Sequence, residues 1–501
     1  MKNPILAGFA PDPSVCRVGE DYYLVTSTFS YFPGVPIYHS QNLVDWTQIG
    51  NVLERPSQLD LTGANHSSGI FAPTIRYREG TFYLITTNVT HGGNFIVTAT
   101  DPRGPWSDPY FLPTAAGIDP SLFFDEDGKC YYVGTRPRSA GIRYDGDYEI
   151  WLQELDLTTM QLSGVSTPIW KGALRKNIWP EGPHLYKRNG FYYLLIAEGG
   201  TGLQHAISVA RSTKIDGWYE GNPNNPIFTH RNLGQDYPIQ NVGHGDLIEK
   251  ADGTWALTCL ASRFYEGYNN LGRETFLATV IWEADWPVVN PGVGKIMAED
   301  AVLIADIEID FKQGIPPVAL RLRNPEEANY QVTTTGLQVN LTPITFADLA
   351  SPSYLGLRQN SMHYCLQVEQ EFTPENKYEE AGLMIIQSNQ FAMRFVVKKV
   401  EHQVVVQVIQ TLKGQDEILV TQKLPQPDVT LAIQQDKQDL SFWVEISGQR
   451  QLLIDHVSAY FLSTQVAGGF VGSTLGVYAS SNGKVTKNKA LFKRLSLQQR
   501  G

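Results

Sequence analysis

The chain of 501 residues is too long for one compact core and is read as two domains or more. Its net charge of −11 and pI near 5.4 exclude a general affinity for nucleic acid or anionic membrane, which needs a surplus of Lys and Arg, and leave a neutral ligand as the easier partner. No apolar run is long enough to span a membrane.

In chain order, the amino-terminal MKNPILAGFAPDPS leaves no room for the charged and apolar regions of a signal peptide, which predicts a cytoplasmic location. A pattern then returns five times: a small or acidic residue, usually Pro, a polar and an aliphatic residue, a hairpin turn and an aromatic strand. The copies start at Asp12, Ala72, Asp119, Gly182 and His244, which lie 60, 47, 63 and 62 residues apart. A strand, Gly/Asp turn and strand repeated at this period predict an all-β, five-bladed β-propeller. Further strand-like runs follow each turn, at residues 34–39, 94–98, 149–152 and 205–210, so each blade is expected to hold about four antiparallel strands. Trp46, Trp106 and Trp218 fall late in their blades and are expected to pack between blades. Cys16, Cys130, Cys259 and Cys365 sit singly in apolar strands, without metal-ligand spacing, and are expected to be free, buried thiols.

The repeat stops near the Pro/Gly stretch at residues 286–292, and an acidic segment at 298–310 follows. This gives a propeller over residues 1–305 and a second domain over 306–501. Short alternating runs at 364–372, 382–386, 391–397, 404–409, 440–446 and 466–478 predict a lectin-like (concanavalin A-like) jelly-roll β-sandwich. No catalytic constellation stands out there.

In a propeller the inner strands converge at one end of the axis. Asp12, Asp119, Glu181 (one before Gly182) and His244 then meet, with Ala72 leaving space for a ligand. Asp-Pro-Ser alone could be a strand terminator; recurrence at equivalent positions favours a functional cluster. Grouped carboxylates repel when ionised, so at least one should stay protonated near neutral pH. One ionised and one protonated carboxyl is what hydrolysis of a glycosidic bond requires.

These motifs resemble glycoside hydrolase family 43, in its two-domain β-xylosidase and α-L-arabinofuranosidase branch. The resemblance rests on Phe9-Ala10-Pro11-Asp12-Pro13-Ser14, Phe29 with residues 31–40, Gly69-Ile70-Phe71-Ala72-Pro73, Ile118-Asp119-Pro120-Ser121, Pro180-Glu181-Gly182-Pro183-His184, Gly243-His244-Gly245 and Leu271-Gly272-Arg273-Glu274. It implies Asp12 as general base, Glu181 as general acid and Asp119 as the carboxylate that tunes and orients Glu181. It implies inversion, with base and acid roughly 6.5–9.5 Å apart to hold a water. Arg273 would grip sugar hydroxyls, its alternative being an ion pair with Glu274 or a neighbour. Phe29 and Phe71, the latter where relatives often carry Trp, would line the terminal sugar subsite. Phe470 would come from a sandwich loop at the rim, its alternative being a plain strand residue. No cofactor is required; His244 either faces a structural calcium near the axis or is a hydrogen-bond partner. The expected activity is exo-acting release of terminal arabinofuranose or xylose from short oligosaccharides. A non-catalytic carbohydrate-binding propeller and an endo-acting arabinanase are the alternatives, and a homo-oligomer is left open.

Overall fold

The computed structural model describes residues 2–174, 176–298 and 304–500. Part of the expected acidic boundary, residues 299–303, lies outside the described residues. Five four-stranded antiparallel sheets come first, with inner strands Ser14–Val18, Thr74–Arg78, Ile118–Phe124, Glu181–Arg188 and Ile239–Glu249. Local chemistry makes the inner hairpins. Glu79-Gly80 and Asn189-Gly190 both place two residues at positive φ, the two-residue turn whose twist matches the strands it joins.

Side chains alternate across each sheet, so each blade buries one face against the blade before it and one against the blade after. The apolar clusters follow this arrangement around a ring. Val25, Ile37, Phe82 and Trp106 join blades one and two; Ile96, Leu122 and Trp151 join two and three. Ile150, Leu194 and Tyr219 join three and four, and Tyr193, Ile207, Phe276 and Val289 join four and five. Leu24, Leu43, Ala256 and Leu277 close five onto one. The amino-terminal segment fastens this closure: Asn3 exchanges two 2.9 Å hydrogen bonds with the Leu277 backbone, and Leu6 bridges Thr275.

Trp106 and the half-buried Trp46 pack between blades as expected, and the four cysteines are free and buried. Trp218 does not pack: it is 88% exposed. Its neighbour Tyr219 is buried and donates a 3.0 Å hydrogen bond to the Ile215 carbonyl. Successive side chains in extended chain point to opposite sides, so seating Tyr219 turns Trp218 out.

The last propeller strand is Trp286–Val289 and the next domain's first is Ile307–Asp310. That domain stacks an eight-stranded sheet, in which Lys489–Gln499 pairs with His363–Glu371, on a six-stranded one containing Glu380–Ser388 and Phe391–Val400. Leu366, Phe395, Phe442 and Leu495 lie in the core between them. The expected strand over 466–478 is corrected: Thr464–Ala467 is a helical turn, Gly468 and Gly469 reverse the chain at positive φ, and the strand is Thr474–Ser480.

A separate cluster glues the domains together, with Phe9, Phe29 and Tyr31 packed against Tyr354, Met384, Val471 and Tyr478. At one point the backbones nearly touch. A Cβ on Gly272 would lie 2.6 Å from the Gly472 nitrogen, and one on Gly472 would lie 2.2 Å from the Leu271 carbonyl oxygen. Hydrogen bonds from Ser473 N to Asn270 O (2.9 Å) and Phe470 N to Ser67 Oγ (2.9 Å) hold the loop there. The sandwich thereby reaches the top of the propeller.

Candidate active site

The inner strands do not enter the axis smoothly. Asp12, Asp119, Gly182 and His244 all have positive φ, at 56°, 53°, 56° and 42°, and the inner hairpins of blades three, four and five shift register there. Such an irregularity re-aims a side chain at a cost of order 1–3 kcal/mol for a non-glycine residue. Here it turns Asp12, Asp119 and His244 to the axis. In blade four the left-handed residue is Gly182, since a Cβ there would lie 2.8 Å from the His244 ring, and the carboxyl comes from Glu181, one residue earlier. Glu181 therefore reaches the same pocket from a different backbone position than the two aspartates.

The pocket holds about 440 Å³ of open space. Asp12, Phe29, Phe71, Asp119, Glu181, His244, Arg273 and Phe470 all line it, together with Ala72. The sequence reading missed Thr201 and His205, which also line it. Both stand on the loop after the second strand of blade four, outside the repeated pattern, and only the Gly199-Gly200 pair hints at that loop.

Arg273 sets the charge of the floor. Its Nη1 donates to Asp12 Oδ1 at 2.9 Å and to Thr201 Oγ1 at 3.1 Å. Its guanidinium lies 5.6 Å from the Phe29 ring centre and 5.8 Å from that of Phe470, which fixes it in a cation–π slot. Glu274 is not its partner; Arg263 holds Glu274 through two 2.7 Å hydrogen bonds. Phe470 is a loop residue, its ring stacked 6.3 Å from Phe29.

Burial alone would raise the pKa of Asp12, but Arg273, His244 and a hydrogen bond from Ser27 Oγ outweigh it and hold the carboxyl below its usual range. Asp119 lacks such support: burial and the charge of Asp12 push it up to about 6, against the pull of His244 and a 3.2 Å hydrogen bond from Gly182 N. Glu181 is pushed well above the ordinary glutamate value, first by burial and then by the charges of Asp119 and Asp12. Within one pocket an ionised aspartate thus faces a protonated glutamic acid.

The raised Asp119 pKa carries a stability prediction. A carboxyl that binds its proton more tightly when folded adds its full stability below the unfolded value near 3.8 and loses it as pH rises through about 6. Ionised Asp119 should therefore cost up to about 3 kcal/mol at pH 7.5. Asp119→Asn, which keeps an acceptor for Gly182 N, should melt higher than the parent at pH 7.5, and the gap should close below pH 4. An equal gap at both pH values would show that the charge is not the cause.

One step further down the axis lies a layer the sequence reading did not single out. Asp246, fully buried, accepts from Arg76 Nη1 (2.9 Å), Ser14 Oγ (2.8 Å), Val15 N (3.1 Å) and Tyr186 Oη (2.5 Å). Arg76 Nη2 also reaches His184 Nδ1 at 2.9 Å. Ser14, His184 and Asp246 follow Asp12, Gly182 and His244 by two along their inner strands, below the kinks. The carboxylates beside His244 are already engaged, so a calcium there would take its oxygen ligands from water. Asp12, 3.8 Å from His244 Nδ1, is already held by Arg273 and Ser27, and Asp246 below is neutralised by a guanidinium. Calcium prefers six to eight oxygen ligands. Among the described residues no group of three or more His, Cys, Asp or Glu side chains is arranged to hold a metal ion.

Comparison with known proteins identifies the family. The family model described as "Glycosyl hydrolases family 43" matches residues 1–287. The chain belongs to glycosyl hydrolases family 43. The "Beta xylosidase C-terminal Concanavalin A-like domain" matches residues 310–498, so this family 43 chain carries the expected partner domain. It is 47% identical to a "Xylosidase/arabinosidase" of Butyrivibrio fibrisolvens over 99% of both chains. It is 36% identical to "Non-reducing end alpha-L-arabinofuranosidase BoGH43B" of Bacteroides ovatus, over 98% of this chain and 93% of that one. Among solved structures, "Bacteroides ovatus Xyloglucan PUL GH43B" superposes with a TM-score of 0.92 at 36% identity, and the xylan beta-1,4-xylosidase from Bacillus halodurans with 0.91 at 33%; each comparison covers both chains fully.

Proposed function

We propose that this family 43 chain is an exo-acting, inverting glycoside hydrolase that releases terminal arabinofuranose and xylose from short arabino- and xylo-oligosaccharides. The observation that carries the reading is the split in protonation: Asp12 is held ionised by Arg273 and Ser27 while Glu181, in the same pocket, is held protonated. Asp12 as general base takes a proton from water as that water attacks the anomeric carbon. Glu181 gives its proton to the departing glycosidic oxygen, and the configuration inverts in one displacement. Asp119 raises the proton affinity of Glu181 through its charge and holds the Gly182 backbone. Arg273 serves Asp12 and offers its remaining N–H groups to sugar hydroxyls. Phe29 and Phe71, with ring centres 5.2 Å apart, give the sugar an apolar wall. His244 acts as an electrostatic partner of Asp12, its Nδ1 3.8 Å from Asp12 Oδ1, and no step is assigned to a metal.

Phe470, brought in by the sandwich, walls the pocket beside Arg273, as removal of single terminal sugars requires. This counts against an endo-acting arabinanase, and three retained carboxylates count against a non-catalytic binding module. The names of the two relatives above support both pentoses as substrates. The test pairs nitrophenyl β-xyloside with nitrophenyl α-L-arabinofuranoside, while proton NMR follows the first-formed sugar. Turnover of both with inverted anomers is expected; early retention would overturn the single displacement, and turnover of neither would overturn the activity.

A further inference from the structure

Trp218 is the most exposed large aromatic side chain of the described propeller and lies in a groove well outside the catalytic pocket. The groove holds about 1550 Å³ of open space between the outer edges of blades three and four, with walls formed by residues 168–173, 217–223 and Asn225. Trp170, half-buried, lies against Gly221 and supplies a second indole. Lys171 and Glu220 stand exposed at its rim. The Asn222 side-chain oxygen is taken by Asn224 N at 2.8 Å, while its NH₂ group and both indole N–H groups donate to no other described residue.

Strand register ties this groove to the catalytic end of the propeller. Ile118, which lines the pocket beside Asp119, pairs with Thr135, Thr135 with Ile150, and Ile150 with Trp170. The row runs straight from the pocket to the groove over three strand spacings, about 14 Å. The groove's wall is also anchored to the acid's own blade. Ala173 N donates to Glu198 Oε2 at 3.1 Å, and Glu198 adjoins Ala197, the register partner of Glu181.

We propose that Trp218 and Trp170 form a second carbohydrate site that holds the distal part of a xylan-type oligosaccharide chain. The proposal rests on the glycosidase reading above. A pyranose ring has apolar C–H faces and a hydroxyl edge; indole faces flanked by unpaired N–H donors and a charged rim match both features, as in sugar-sized sites generally. A neutral ligand also fits an acidic chain.

The test compares Trp218→Ala and the Trp170→Ala/Trp218→Ala double variant with the parent on xylohexaose and on nitrophenyl β-xyloside. Trp218 packs against no core, so its replacement spares the fold. Expected is a rise in KM of about 3–10-fold for xylohexaose, the scale of one lost aromatic contact, with less than about a twofold change for the nitrophenyl glycoside. Titration calorimetry with xylohexaose on the Glu181→Gln protein, which turns this substrate over slowly, should lose affinity on adding Trp218→Ala. Equal KM changes on both substrates, or unchanged xylohexaose affinity, would overturn the site. So would a shift from dimer to monomer in Trp218→Ala, which would assign the groove to a second copy of the chain. If the parent turns over neither substrate, the glycosidase reading has failed; calorimetry still reads the groove separately.

Discussion

Glu181→Gln should lower kcat/KM on xylobiose by about 10²–10⁴-fold, the range general acid catalysis supplies, while nitrophenyl β-xyloside loses far less. The difference follows from the leaving group. A sugar alkoxide cannot depart without a proton, whereas nitrophenolate departs unaided, so only the former needs what Glu181 carries. Glutamine fills the same volume at a position where the acid is protonated anyway, so binding should hold and the loss should fall on kcat. The pH profile adds a second reading. In the parent, activity should fall on the alkaline side as Glu181 gives up its proton, at a pH raised by burial, Asp119 and Asp12. In Glu181→Gln that alkaline limb should vanish from the residual nitrophenyl activity. Equal losses on xylobiose and the nitrophenyl glycoside would remove Glu181 from the role of acid.

Much of the fold is legible in the sequence because its causes are local. Asn189-Gly190 and Glu79-Gly80 specify their turns within two residues, and the aromatic strands after them alternate with period two. Asp12 and Asp119 could be found because they recur at repeat starts, and Glu181 because it precedes a third. What the repeat cannot encode is the left-handed kink that turns these residues to the axis, nor that blade four moves its carboxyl back one residue to make room for the His244 ring. Thr201 and His205 lie on a loop with no counterpart in the other blades, so no pattern points to them. Trp218 misled because Asp216-Gly217-Trp218 looks like Gly104-Pro105-Trp106. Which of Trp218 and Tyr219 is buried depends on packing against Phe123, Ile150 and Leu152 far along the chain, and sequence spacing is silent on that choice. Arg76 and Asp246 lie 170 residues apart and meet only because the blades close into a ring.

Asp12→Asn should reduce turnover of xylobiose and of both nitrophenyl pentosides alike, by about 10²–10⁴-fold. Activation of water is needed whatever the leaving group, so no substrate should escape. The variant keeps the geometry: an asparagine oxygen can still accept from Arg273 Nη1, where Asp12 Oδ1 now accepts at 2.9 Å. It loses the charge, and with it the ability to take the water's proton. One of the two charges that raise Glu181 also disappears, so the alkaline limb of any residual activity should move to lower pH. The acid side discriminates further. The parent's acid limb should follow protonation of the base Asp12, which is held below the usual carboxylate range, so activity should persist to low pH. In Asp12→Asn that acid limb should vanish from any residual activity. A loss confined to xylobiose would exchange the roles of Asp12 and Glu181. A loss of binding without loss of kcat would make Asp12 a holder of Arg273 rather than a base, and the single-displacement mechanism would then need another carboxylate to activate water, with Asp119 the remaining candidate in the pocket.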